Sequence, residues 1–314
     1  MNQRKEIGNK KIEQEWLSLP QHFLITPSDT SYPPLLKEIP DPPRQLYVMG
    51  NLELLSAPQV AVVGSRLPTP MGREIASEIA GGLARAGITV TSGLAIGVDA
   101  AAHAAALLAL ASTVAILGNG LLSIYPVRHQ RLAEEIIAHQ GALVSEFPLE
   151  SPPRAAHFPQ RNRIISGLGL GTVVIEATRR SGSLITARLA AEQNRQVFAV
   201  PGSIRNPLAA GCHDLIRQGA ILIHSVEDII SELKEALFHT LGPLAQSSVC
   251  NSSLKHQLDA KAEKLLECIG FEGVVIDQLM TRSGYSIAEV SSLLFDLELK
   301  GYIKVELGGV TRIS

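Results

Sequence analysis

The stretch VAVVGSR, Val60–Arg66, decides how the chain is read. Four apolar residues run without a polar break and end in glycine. That pattern suits a strand covered on both faces, as in a parallel sheet, rather than a half-exposed hairpin strand. Behind it Ile75, Ile79 and Leu83 recur at helical spacing, and Gly87 stands at the left-handed cap position. The same alternation repeats downstream. Strands are expected at Ile88–Thr91, Thr113–Leu117, Ala142–Glu146, Thr172–Glu176, Val197–Val200 and Ala220–Ile223, with helical stretches between them except between Glu146 and Thr172, where none is assigned. Short apolar strands alternating with helices predict an extended Rossmann-like α/β domain, a parallel sheet with helices on both faces, over residues 58–238.

Outward from this core, residues 1–57 show little periodicity and carry Pro33, Pro34, Pro40, Pro42 and Pro43, so they read as an extended, turn-rich arm with a short strand at Gln45–Met49. Residues 239–257 are polar and serine-rich and read as a linker. Residues 258–314 form a separate unit of three helices and a hairpin, a winged helix. Its third helix opens on Ser286-Ile-Ala-Glu289, a capping box.

The 314 residues carry 28 Lys and Arg against 30 Asp and Glu, a net charge of -2, so any nucleic-acid site has to be a local patch. Cys212, Cys250 and Cys268 have neither metal-ligand nor redox spacing. Residues 1–20 lack an apolar signal core, and no run is long and apolar enough to span a bilayer. A soluble, cytoplasmic protein without a metal or cofactor is expected.

The chemistry-bearing residues gather at the C-terminal ends of the expected strands, where open α/β sheets bind ligands. Gly64-Ser65-Arg66 gives a tight turn, free N–H groups and a forked phosphate donor, without the full dinucleotide fingerprint or a Walker lysine. In Ser92–His103, Asp99 suits a helix N-cap and His103 its first turn; the spacing of four also allows an Asp/His pair. In Phe158–Gly167, Arg161, Asn162 and Arg163 follow an aromatic ring, so a base can stack while guanidinium groups hold phosphates. In Glu176–Arg188, Arg179 and Arg180 precede Ser181-Gly182-Ser183 at a helix start, a good phosphate site, and Glu176 is the one plausible acid for a hydrolase.

VAVVGSR, SGLAIGVDAAAH (92–103), AILGNGL with YP four residues on (115–126), SEFP (145–148), FPQRNRIISGL (158–168), VVIEATRRSGSLITARLAAEQNR (173–195), VFAVPGSI (197–204), GCHDLIRQGA (211–220) and a closing winged helix stand in one order. This set closely resembles the DprA (Smf) family of bacterial DNA-processing proteins, densely over about residues 30–230. The resemblance implies a non-enzymatic homodimer, joined through the Rossmann domain. Such a protein binds single-stranded DNA, protects incoming DNA in natural transformation and loads the RecA recombinase. Carried over by residue, it places Gly64, Ser65, Arg66, Phe158, Arg161, Asn162, Arg163, Arg179, Arg180, Ser181, Gly182, Ser183 and Thr186 at the DNA. Two departures stand out. The helical domain that precedes the core in many relatives is absent or reduced in the 57 residues before the core. Relatives often carry a lysine where this chain has Ala155, and Arg154 beside it is the expected substitute.

The winged helix departs in charge. From Leu258 onward it has six Lys and Arg against nine Asp and Glu, and its third helix carries Glu289, Asp296 and Glu298. A duplex-reading helix is normally basic, so a protein partner is the expectation here and duplex DNA the runner-up. The rival reading of the core is a nucleotide or nucleoside phosphoribohydrolase acting through Glu176.

Overall fold

The computed structural model describes residues 2–241, 259–269, 274–299, 302–306 and 309–312. The chain divides into two compact units, Met1–Val249 and Cys250–Ser314.

The first unit runs, in chain order, through α1 (Asn2–Leu17), β1 (His22–Ile25), α2 (Pro34–Lys37), β2 (Leu46–Gly50), β3 (Gln59–Gly64), α3 (Pro70–Arg85), β4 (Thr89–Ser92), α4 (Val98–Leu108) and β5 (Thr113–Ile116). It continues with α5 (Gln130–Ala138), β6 (Ala142–Ser145), α6 (His157–Leu168), β7 (Gly171–Ile175), α7 (Gly182–Glu192), β8 (Gln196–Ala199), α8 (Ala210–Arg217), β9 (Ile221–Leu222), α9 (Val226–Glu232) and α10 (Lys234–Leu241). Nine strands form one sheet in the order β1-β2-β6-β5-β4-β3-β7-β8-β9. From β6 to β9 every pairing is parallel. The chain lays down β3 to β6 in one direction along the sheet, then returns to start β7 against the other side of β3. The order therefore reverses between β3 and β7, and their C-terminal ends splay apart there.

β3 shows why the apolar run is continuous. Val60, Ala61 and Val62 are each fully buried. Ala61 and Val63 pack with Ile164, Ile165, Leu168 and Ala187 on the face covered by α6 and α7. Val60 and Val62 pack with Ile79, Leu83 and Ala102 on the face covered by α3 and α4. Successive side chains point to opposite faces, and both faces are covered.

The extended arm expected over residues 1–57 is corrected by the structure. β1 and β2 pair antiparallel, and β2 pairs antiparallel with β6, so the sheet begins at His22 and is not parallel throughout. Leu46 and Val48 are fully buried, and Tyr32, Leu36 and Ile39 join the core beneath α6. Trp16, at the end of α1, sits edge-on to Tyr47 at 5.9 Å. The prolines break the periodicity of this region without preventing burial, because its two strands are too short to show alternation.

In the second unit, α11 (Ala260–Ile269), α12 (Ile276–Ser283) and α13 (Ile287–Leu299) enclose a core of Leu265, Ile269, Leu279, Val290 and Leu297. The strands β10 (Ile303–Glu306) and β11 (Gly309–Arg312) pair antiparallel. The capping box forms: the Ser286 hydroxyl accepts from the Glu289 N–H, and Glu289 accepts from the Ser286 N–H at 3.1 Å. The expected linker at 239–257 closes α10 as far as Leu241 and from 242 onward lies outside the described residues.

Candidate nucleic-acid cleft

A cleft of about 660 Å³ opens where the strand order reverses, between the ends of β3 and β7. It gathers Gly64, Ser65 and Arg66 after β3, Phe158, Arg161 and Asn162 from α6, and Ser181, Gly182, Ser183 and Thr186 around the start of α7. Val63, Ile165 and Leu208 give it apolar walls.

The turn after β3 needs its glycine. A Cβ at Gly64 would overlap the Ile175 carbonyl oxygen at the end of β7. The neighbouring Ser65 carbonyl accepts from the N–H of Val98 at 3.1 Å, which ties this turn to the start of α4. Arg66 is thereby turned outward, and its guanidinium carbon lies 5.9 Å from the centre of the Phe158 ring. Phe158 itself rests on Gly118, where a Cβ would come within 2.9 Å of the ring. A flat aromatic face beside an exposed arginine is a place for one base and one phosphate.

At the other wall, Ser181 caps α7: its hydroxyl accepts from the Ser183 N–H and lies 2.6 Å from the Ser183 hydroxyl. The two hydroxyls stand at the positive end of the α7 dipole, an arrangement suited to receiving an anion. Asn162 reaches the same turn, with its amide 3.5 Å from the Gly182 carbonyl.

Arg161 has a different part from the one expected. It is 4% exposed, and its guanidinium donates to the carbonyls of Gly93, at 2.7 Å, and Ile116. A Cβ on Gly93 would overlap that guanidinium, so the glycine makes the close approach possible. Burial brings the Arg161 pKa down to about 10, opposed by the nearby Asp99 carboxylate, and the group stays charged. Asp99 is buried too, which raises its pKa, while Arg161 pulls the other way. Its carboxylate accepts from the N–H groups of Gly93 and Ala95 at 3.1 and 3.3 Å. Asp99 is not the N-cap; Gly97 occupies that position. Nor does it pair with His103, whose Nδ1 lies 2.8 Å from the Thr113 hydroxyl and whose pKa burial lowers to about 3. Arg161 and Asp99 form the charged floor of the cleft.

Arg163, Arg179, Arg180 and Arg154 do not line the cleft. Arg163 is ion-paired with Glu146 and with Asp41 at 3.1 Å, and its side chain is 11% exposed. Burial raises the Glu146 pKa, and Arg163 opposes it. Arg179 pairs with Asp214 at 3.0 Å while remaining 73% exposed. Arg154 and Arg180 are exposed and have no ion-pair partner among the described residues. The acid that a hydrolase reading would need, Glu176, accepts from the Thr69 N–H and hydroxyl at 2.7 and 2.5 Å and so holds Thr69, the residue whose hydroxyl caps α3. Among the described residues no cluster of His, Cys, Asp or Glu is arranged to hold a metal, and no helix is long and apolar enough to cross a membrane.

The family model for DNA recombination-mediator protein A matches residues 23–234, and that for the DprA winged helix domain matches residues 252–309. The chain belongs to the DprA family. The Smf protein of Escherichia coli K12 is 45% identical over 306 residues, 97% of this chain and 81% of Smf. DprA of Bacillus subtilis 168 is 44% identical over 209 residues, covering 66% of this chain and 70% of the relative. The crystal structure of Streptococcus pneumoniae DprA superposes with a TM-score of 0.66 at 42% identity, over 71% of this chain and 77% of that one. A Helicobacter pylori DprA structure, described for its single-stranded DNA binding mode, gives 0.62 at 30% identity, over 69% and 97%.

In this DprA-family chain, sequence pattern assigns Asp99 another role and misses Gly93, which lets Arg161 into the floor, and Gly118 and Tyr125, which pack against Phe158. All four lie inside the motif stretches 92–103 and 115–126. The signal for the two glycines was the recurrence of glycine at strand ends, read there only as turn geometry.

Proposed function

We propose that the cleft binds single-stranded DNA, and that this protein protects incoming strands in natural transformation and loads RecA onto them. The observation that carries the reading is Arg66 beside the Phe158 ring, facing the capped start of α7 across one cleft. Ring, guanidinium and helix N-terminus recognise stacked bases and phosphates without selecting sequence. Family membership supports the RecA step and a homodimer through the Rossmann domain, and the engagement of Glu176 by Thr69 favours binding over hydrolysis.

The winged-helix unit is assigned to a protein partner. α13 carries Glu289, Asp296 and Glu298 and no Lys or Arg, and it exposes Ile287 and Phe295. The test is fluorescence anisotropy with a labelled oligothymidylate and with a duplex of equal length, for the full chain and for Arg66→Ala and Phe158→Ala. Tight single-strand binding that both variants weaken is expected. Equal affinity in all three proteins overturns the cleft assignment. RecA filament growth on protein-coated single strands tests the loading step, and failure to accelerate it overturns that step.

A further inference from the structure

The segment between β5 and α5 repeats the grammar of the cleft one step further out. Tyr125 is 45% exposed, and its ring centre lies 5.6 Å from that of Phe158, with the planes tilted by 43°. Its hydroxyl has no hydrogen-bond partner among the described residues. Three residues on, Arg128 is exposed and carries no ion pair among the described residues, unlike Arg131, which holds Glu135 at 3.1 Å. Leu122 and Val127 of the same segment are exposed as well, at 50% and 78%.

This segment is rigidly held. The Asn119 amide donates to the carbonyls of Gly120 and Ser123 at 3.0 and 2.5 Å, and the Asn119 carbonyl accepts from the Ser145 hydroxyl. The Gly120 N–H donates to the Ser151 carbonyl at 2.9 Å. Leu121 and Ile124 are buried in the core beside α5. An aromatic ring left half in water on such a support, tilted against Phe158, is already ordered before any ligand arrives, so little entropy is lost on stacking.

We infer that Tyr125 is a second base-stacking platform and Arg128 its phosphate contact, so that the bound single strand leaves the cleft over Phe158 and continues along residues 122–128. This inference rests on the single-strand reading of the cleft. Its physical content is one more stacked nucleotide and one more neutralised phosphate than the cleft alone provides.

The experiment uses the full chain with Tyr125→Ala, Tyr125→Leu, Tyr125→Phe and Arg128→Ala. Binding is read by anisotropy on oligothymidylates of increasing length and by quenching of single 2-aminopurine substitutions. Thermal unfolding is recorded in parallel. Tyr125→Ala and Tyr125→Leu should weaken binding roughly 5- to 100-fold on long strands and abolish quenching at one position. Tyr125→Phe should bind as the parent does. Arg128→Ala should lower the log–log salt slope by about 0.7. Leucine preserves bulk without a π face, so parental affinity in Tyr125→Leu assigns the ring to packing and overturns the inference. Parental affinity in Tyr125→Ala does the same, provided Phe158→Ala still binds weakly. If Phe158→Ala and Arg66→Ala also bind normally, the failure belongs to the cleft reading itself.

Discussion

Arg161 and Arg163 leave α6 on opposite sides, one pinned against Gly93 in the cleft floor and the other ion-paired with Glu146 and Asp41. Two positions along a helix turn a side chain through about 200°, so one helix serves two separate buried contacts. Both arginines should therefore show their first effect on stability. Arg161→Ala leaves the buried Gly93 and Ile116 carbonyls without their donor, removes the positive charge near Asp99, and should cost about 1–3 kcal/mol. Arg163→Ala removes a charged hydrogen bond from Glu146 and should cost about 1–3 kcal/mol. Urea unfolding of the two variants measures both. Unchanged midpoints would assign the two side chains to ligand contact alone.

Arg66 and Phe158 should behave in the opposite way. Arg66 is exposed, so Arg66→Ala should leave the unfolding transition in place while reducing single-strand affinity and lowering the log–log salt slope by about 0.7. Phe158→Ala should lose stacking of about 1–3 kcal/mol with the salt slope unchanged. Titrations between low and moderate salt separate the two effects, and identical slopes in parent and Arg66→Ala would exclude a phosphate contact.

Glu176 combines two constraints at the end of β7. Its φ of 51° lies in the left-handed region, and its carboxylate fixes Thr69, the N-cap of α3. Glu176→Ala removes two hydrogen bonds between its carboxylate and Thr69 and should cost about 1–3 kcal/mol. Incubation of parent and variant with nucleoside monophosphates should release no base from either. Base release by the parent that the variant lacks would restore the hydrolase reading.

His103 predicts an acid limb in stability. Burial lowers its pKa from 6.5 to about 3, so the unfolded chain takes up this proton first as pH falls. Between about pH 6.5 and 3 the unfolded state binds more protons, and stability declines as pH falls by up to about 1.4 kcal/mol per pH unit. A His103→Gln variant should show a flatter stability profile over that window. Equal slopes for parent and variant would show that His103 takes up its proton alike in the folded and unfolded chain.

Sequence pattern alone determined the central strands, most of the helices between them, the winged helix and the gathering of candidate residues at strand ends, because buried parallel strands and amphipathic helices write their period locally; α6 and the strand order that sets the switch point came only from the structure. Gly64, Arg66, Phe158 and Ser181–Ser183 were legible for the same reason: each stands at a strand end or helix start, where backbone geometry is set by neighbours in the chain. The three-dimensional fold alone decided which arginines face the cleft. FPQRNR offers two guanidinium groups of equal rank, and only the placement of Gly93, Asp99, Glu146 and Asp41, all distant in sequence, gives each its partner. It also decided that residues 22–50 complete the sheet, since edge pairing on β6 depends on a strand about a hundred residues away. Charge pairing and edge-strand pairing are contacts across space, and no local period records them.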